Sequence, residues 1–555
     1  MQEVYKLVEA AVEAACGVNV SVSLDRPDEK FGDYASNVAL QLSKKLAKNP
    51  REVAEEIAKE LQKSPVISEA TIAGPGFINI RITDKFLQKS IENAIKTRPT
   101  KYKDKVVVVE YSDPNPFKVL HAGHLYQTVF GDSISRLVSR AGGEVHDVNF
   151  GGDVGRHVAI TMWAILRELG GENPEKLEVI DKEERSNWLA KCYVEGNNAF
   201  EDNDDVKAEV IVLNKRVYQV HNDNDRLSPF AQIYWTTRQW SYDYFEQFYA
   251  SIGSGFEKYY PESETAPVGL KTVKDQLKMG VYEQSDGAVV FRGEPYGLHT
   301  RVFINSEGLP TYEAKDIGLA IVKWEDYHFD ETIIITGNDI TEYMKVVLKS
   351  LEQFRPEIAA RTKHFTHGQV KLKGGVKMSS RKGNIVRAAG ILDTAREASE
   401  KVIGSHDEEI VLAAVKFAFL KQRLGPDVVY DPEESVSLQG NSGPYLQYAH
   451  ARACSVLAKV GTVESTEQEF EPMERTLARK ISEYPDVVST AVDDLMPHHI
   501  ANYLYELAQE FNRFYEKNRV VDDPRQNIRA QLVRHYTNVL KDGLQLMNIS
   551  APEKM

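Results

Sequence analysis

The sequence predicts a multidomain α/β protein: a split Rossmann-like parallel-sheet domain preceded by a small α+β domain and followed by an all-α helical bundle. Three observations carry this. A strand, proline-rich loop, helix and second strand succeed one another at 106–109, 110–120, 121–140 and 144–150, the grammar of a doubly wound sheet. Apolar runs at 332–336 and 365–370 resume the sheet much later, so the polar helical stretch at about 173–260 reads as an insertion. From about residue 410 onward the apolar spacing is almost wholly that of helices. At roughly 100–200 residues per domain, 555 residues make three or four domains. The expected division is 1–100, 104–405 and 406–555.

In the N-terminal part, helical periodicity covers 3–15, 35–48 and 53–62, with Asn49-Pro50 as an interruption. Alternating segments at 70–73 and 77–82, joined by Gly74-Pro75-Gly76, form a strand pair. The stretch Thr97-Arg98-Pro99-Thr100 is the linker into the sheet domain.

Composition narrows the function. Against 82 acidic side chains stand 68 basic ones, a formal charge of −14, which excludes a uniformly basic nucleic-acid coat and leaves only local cationic patches. Three scattered cysteines, Cys16, Cys192 and Cys454, form no CxxC or Cys/His cluster, so neither a disulfide framework nor structural zinc is expected. No apolar run reaches the ~20 residues a membrane span needs, and a cytoplasmic protein is expected.

Two segments carry chemistry. His121-Ala122-Gly123-His124 follows the first strand and opens the first helix. Residues three apart share a helix face, so two imidazoles stand together at a helix N-terminus, where Gly123 lets a ring or ribose approach. That placement suits the charge that develops at an attacked α-phosphate. The second segment is Lys377-Met378-Ser379-Ser380-Arg381, set between glycines; residues 371–392 hold six basic side chains and no acidic one. Cations on a loop can close over a triphosphate and stabilise a pyrophosphate leaving group.

Together these segments resemble the HIGH and KMSKS motifs of class I aminoacyl-tRNA synthetases. Further segments are similar to the arginyl-tRNA synthetase family over nearly the whole chain. Phe31-Gly32-Asp33-Tyr34-Ala35-Ser36-Asn37 and Gly74-Pro75-Gly76-Phe77 resemble its N-terminal domain, and Thr311-Tyr312-Glu313-Ala314-Lys315-Asp316 its arginine-pocket helix. Gly443-Pro444-Tyr445-Leu446-Gln447-Tyr448-Ala449-His450-Ala451-Arg452 and the end Pro552-Glu553-Lys554-Met555 resemble its anticodon-binding domain.

The resemblance implies two-step ligation of L-arginine to tRNA(Arg) with ATP and Mg²⁺ by a monomer. It assigns catalysis to His121, His124, Lys118 and Lys377, and ATP binding to His121, Gly123, His124, Lys377, Met378, Ser379, Ser380 and Arg381. Arginine falls to Glu110, Asn115, Tyr312 and Asp316, which fits the physics: a planar, permanently charged guanidinium needs carboxylates and a hydroxyl in fixed array. Contacts to tRNA fall to Asn37, Phe77, Tyr445, Gln447, Tyr448 and Arg452. No protein-held metal and no editing domain are expected. One departure stands out: where the family offers a glutamine after the strand at 332–336, this chain has Gly337-Asn338-Asp339-Ile340-Thr341-Glu342-Tyr343, and Asn338 or Asp339 is the expected substitute. The rival readings are a synthetase-like RNA-binding protein without catalysis, a class I synthetase for another amino acid, and a small-molecule nucleotidyltransferase.

Overall fold

The computed structural model describes residues 2–374, 386–464, 466 and 468–555. Its centre is a five-stranded, all-parallel sheet: β1 (Val106–Glu110), β2 (Glu144–Gly151), β3 (Lys258–Pro261), β4 (Glu331–Gly337) and β5 (Thr362–His367), in the order β5-β4-β1-β2-β3. The order reverses between β1 and β4, which pair with Ile334 opposite Glu110. That reversal leaves a crevice beyond the strands' carboxyl ends. Strands β1 and β4 read as continuous apolar runs because helices cover both faces of the sheet.

Helix α1 (Ala122–Arg140) follows β1 and is buried along most of its length. It packs tightly because Gly131 has no side chain: a Cβ there would lie 2.2 Å from the Tyr111 ring. After β2 comes α2 (Arg156–Glu168), then the helical insertion Arg185–Asp202, Asp204–Asn222 and Pro229–Ser251, which has its own core around Val210, Val217 and Tyr234. The expected insertion limit at about 260 is corrected: β3 already belongs to the parallel sheet, paired with β2 from Val148↔Lys258 onward. Four residues were too few to show a strand pattern.

Helices α3 (Glu262–Lys278) and α4 (Tyr312–Tyr327) cross at backbone contact. A Cβ on Gly269 would sit 1.8 Å from Ala314 O, and one on Gly318 would sit 2.1 Å from Thr265 O. Between these helices lies a three-stranded antiparallel sheet, Glu283–Ser285, Ala288–Phe291 and Arg301–Ile304, which the sequence reading missed because its strands are three or four residues long. Helix α5 (Thr341–Glu352) follows β4.

The N-terminal domain holds the expected hairpin, Ile67–Ala73 with Phe77–Ile82, and adds an unexpected edge strand, Tyr34–Ser36, on Phe77–Ile82. The helix expected from 35 therefore starts at Val38. Asn49-Pro50 initiates a helix rather than merely interrupting one: Asn49 Oδ1 accepts from Arg51 N, and Pro50 occupies the first turn, where its missing N–H costs nothing. This domain docks on the C-terminal helices through Arg475, whose guanidinium donates twice to Asp33 at 2.9 Å and once to Asp84 at 3.0 Å. The C-terminal part is helical, from Gly443–Val460 through Gln526–Leu546. None of the helices is long and apolar enough to cross a membrane among the described residues.

Replacing Gly318 by alanine should force α3 and α4 apart. Overpacking of this kind typically costs about 1–3 kcal/mol, so we expect a lower denaturant midpoint in an equilibrium unfolding curve, with the slope unchanged.

Candidate active site

The loop from β1 to α1 is built under backbone strain. Ser112, Asp113 and Phe117 have φ of 75°, 50° and 67°, a left-handed region that non-glycine residues seldom occupy. Strain concentrated within six residues is a mark of a functional loop. It throws Asn115, Lys118 and the histidine pair over the crevice.

His121 is the N-cap of α1. Its Nδ1 accepts from His124 N at 3.3 Å, and His124 Nδ1 accepts from His121 N at 3.2 Å, with the rings stacked 3.6 Å apart. Because each Nδ1 is an acceptor, each neutral ring carries its proton on Nε2. Burial, followed by the charge of Lys118 for His121 and of His121 for His124, brings His121 down to about 4 and His124 well below its ordinary value. The pair is thus two neutral Nε2–H donors. Gly123 is needed beside them: a Cβ there would stand 2.9 Å from His121 Cε1 and 3.9 Å from His367 Cε1, at the end of β5. The chain following 375–385 returns here, since Ala122 N donates to Val386 O and Ala388 N to Leu120 O, both at 2.9 Å. Lys377, Met378, Ser379, Ser380 and Arg381 themselves lie outside the described residues.

A second cluster occupies the same crevice. Asp316, on α4, is half-buried and accepts from the Tyr343 hydroxyl of α5. Burial pushes its carboxyl up to about 7, reinforced by Glu110, Glu262 and Glu313 and partly offset by Tyr343. No Lys, Arg or His among the described residues pairs with it, whereas its neighbours are all balanced: Glu110 by Lys323, Glu262 by Lys315 at 2.5 Å, Glu313 by Arg301 at 3.1 Å. The expectation that Glu110 offers an open carboxylate is therefore corrected; it is buried between the sheet and α4 with its charge taken by Lys323, which packing alone decides. Tyr312 opens α4 and is 59% exposed, with Lys315 Nζ 5.0 Å from its ring centre.

Three residues here, Glu262, Asp153 and Asp113, have no role assigned from the sequence. Glu262 directly follows β3, and a Cβ on Gly152 would come within 2.6 Å of Asn115 Oδ1 and 3.0 Å of the Glu262 carboxyl carbon; Glu262 and Asn115 thus flank one spot, Asn115 being held by Gly152 N at 2.7 Å. Asp153 then fixes the start of α3, accepting from Ser263 N at 2.9 Å and from Arg238 of the insertion at 2.9 Å. Asp113, raised well above the usual carboxylate range by burial and by Glu110, accepts from Phe150 N at 2.8 Å. The signal for Glu262 was its place one residue beyond a strand, which only the sheet assignment exposes. Asn338 and Asp339, the expected substitutes, form an exposed turn, and Tyr343 rather than either of them reaches Asp316.

On the C-terminal helix Gly443–Val460, Tyr448 and Arg452 stand on one exposed face, with Tyr445 half-buried beside them and hydrogen-bonded to Asn512 at 2.8 Å. Gln447 is a correction: it is fully buried and donates to Ser550 Oγ at 2.9 Å, because two residues along a helix turn away from the face that 445, 448 and 452 share. In the N-terminal domain Phe77 is exposed and Asn37 occupies the N-cap position of the helix Val38–Leu46 without a side-chain capping bond.

A parallel sheet reversing at β1/β4, a histidine pair capping α1 at that reversal and a helical C-terminal part define a class I aminoacyl-tRNA synthetase. The comparisons specify which. The model for the catalytic domain of class I (R) tRNA synthetases matches residues 86–429, that for the arginyl-tRNA synthetase N-terminal domain 2–82, and that for the DALR anticodon-binding domain 446–555. An arginine–tRNA ligase of Flavobacterium psychrophilum is 30% identical over 91% of this chain and 90% of its own length; one of Parabacteroides distasonis is 26% identical over 100% and 99%. The solved arginyl-tRNA synthetase of Thermus thermophilus shares the fold, with a TM-score of 0.80 at 24% identity over the full length of both chains. The chain belongs to the arginyl-tRNA synthetase family, ligases that form aminoacyl-tRNA.

A cation binding at Asp316 would pair with its ionised form and so expel a proton wherever that carboxyl is protonated. Arginine affinity should therefore be constant above pH about 7 and fall by up to about tenfold per pH unit below it; calorimetric titration at several pH values, in buffers of different ionisation enthalpy, measures both affinity and proton release.

Proposed function

We propose that this site activates L-arginine with ATP and passes the aminoacyl group to the 3′ end of tRNA(Arg). The observation that carries the reading is the convergence, at one sheet reversal, of two neutral imidazole donors with a half-buried carboxylate that has no cationic partner among the described residues. An unbalanced buried carboxylate is costly, and a guanidinium supplies the missing charge with matching planar donors.

Asp316 takes the guanidinium, with Tyr312 at the pocket mouth and Glu262 behind it, and Asn115 takes the α-ammonium group. In the first step a carboxylate oxygen of arginine bonds to the α-phosphorus of ATP while the bond from that phosphorus to the β-bridging oxygen breaks, releasing pyrophosphate. The His121 and His124 Nε2–H groups donate to the non-bridging oxygens as their charge grows, and neutral donors can do so without the cost of a buried cation pair. Lys118, whose burial lowers its pKa while Glu262 supports its charge, stands between the nucleotide and amino-acid sides. Lys377 and Arg381, with Met378, Ser379 and Ser380, are proposed to close over the β- and γ-phosphates, where Mg²⁺ travels on the nucleotide's own oxygens. In the second step the terminal ribose hydroxyl attacks the acyl carbon and AMP leaves. No side chain acts as nucleophile; rate comes from positioning and charge stabilisation.

Tyr445, Tyr448 and Arg452, with Asn37 and Phe77 at the other end of the chain, are proposed as tRNA contacts, and the division 1–100, 104–405 and 406–555 as the functional one. A cytoplasmic, monomeric enzyme completes the proposal.

Pyrophosphate exchange across the amino acids, with and without tRNA, tests it: arginine alone should drive exchange, and dependence on another amino acid would overturn the reading. His124→Ala should lower kcat by about 10²–10³, the usual effect of losing one preorganised donor, with arginine affinity by calorimetry nearly unchanged.

A further inference from the structure

Asp316 offers two carboxylate oxygens, and the fold has committed one. The Tyr343 hydroxyl donates to Oδ2, and no other hydrogen bond among the described residues reaches either oxygen. Tyr343 comes from α5, the helix that follows β4, so the contact ties α5 to α4, the helix that leads into β4. The tyrosine is itself held: Arg301 of the antiparallel sheet lies 5.3 Å from its ring centre and donates to Glu313 at 3.1 Å. The three acids whose field raises Asp316 are already engaged, Glu110 with Lys323, Glu262 with Lys315 and Glu313 with Arg301.

We infer that Tyr343 is a positioning residue for arginine recognition: its hydroxyl fixes the plane of the Asp316 carboxylate and leaves Oδ1 as the oxygen presented to the guanidinium. A carboxylate free to rotate would meet a planar fork in many orientations, whereas one oxygen pinned by a donor meets it in one. The hydroxyl also favours the anionic form of Asp316 against the combined field of Glu110, Glu262 and Glu313. The exposed Asn338 and Asp339 have no part in this arrangement. The inference rests on the arginine reading above.

Tyr343→Phe removes the hydroxyl and keeps the ring. In steady-state pyrophosphate exchange we expect the arginine KM to rise about ten- to a hundredfold, the loss of one hydrogen bond to an ionised group, with the ATP KM within about twofold. The pH below which arginine affinity falls should move upward by about one unit, since the donor favouring the anion is gone. Because the residue acts through Asp316, Asp316→Asn and the double variant should share one arginine KM. An unchanged arginine KM, an unmoved pH midpoint, an ATP KM rising in step or additive losses in the double variant would each overturn the inference by assigning Tyr343 to packing. Arginine-dependent exchange by the unaltered protein is the control: its absence removes the arginine reading, its presence with an unaffected Tyr343→Phe variant removes only this inference.

Discussion

Everything at the active site hangs on the parallel pairing of β1 with β4, strands more than two hundred residues apart in sequence. Parallel pairing requires a crossover, and this chain makes its crossovers in opposite directions from β1, opening a crevice at the strand ends. The histidine pair leaves β1 on one side, and Tyr343 follows β4 on the other. Between them α4 carries Asp316 into the gap, at a depth set by the contact of Gly269 and Gly318 with facing backbone. Loss of that close approach would alter the Glu262–Lys315 pair and the carboxylate beside it together.

The electrostatics of the crevice follow from incomplete compensation. Three acidic residues around Asp316 are matched by Lys323, Lys315 and Arg301, whereas Asp316 itself has no cationic partner among the described residues. On the nucleotide side the opposite choice is made, with both imidazoles held neutral so that they donate without adding buried positive charge.

An acidic chain that engages RNA must do so locally. Several candidate cations are in fact shared with neighbouring acids, such as Lys48 with Glu56 and Arg51 with Glu55. On the proposed reading, recognition falls to shape, to exposed aromatics such as Tyr448 and Phe77, and to a fixed spacing between domains. The Arg475 clamp on Asp33 and Asp84 sets that spacing by joining the first domain to the last, and its carboxylate Asp33 is held ionised, burial notwithstanding, by the same guanidinium.

Much was readable from the residues alone. The doubly wound plan, the helical insertion, the C-terminal helices and the His121/His124 pair at a helix start follow from apolar period and spacing, because those are local properties of the chain; Asp316 and Asn115 are singled out by the family resemblance alone. Short elements did not announce themselves: Tyr34–Ser36, Lys258–Pro261 and the strands around Arg301 are too brief for a period to register. Partnership was equally hidden. Whether a carboxylate is balanced, as Glu110 is by Lys323 across 213 residues, or whether Gln447 faces solvent or Ser550, depends on packing between distant segments. The sequence by itself determined which chemical groups this protein possesses and the order in which they occur; the tertiary structure alone decided which of them are neutralised and which remain free, because Coulomb and desolvation energies depend on distance and burial rather than on position along the chain.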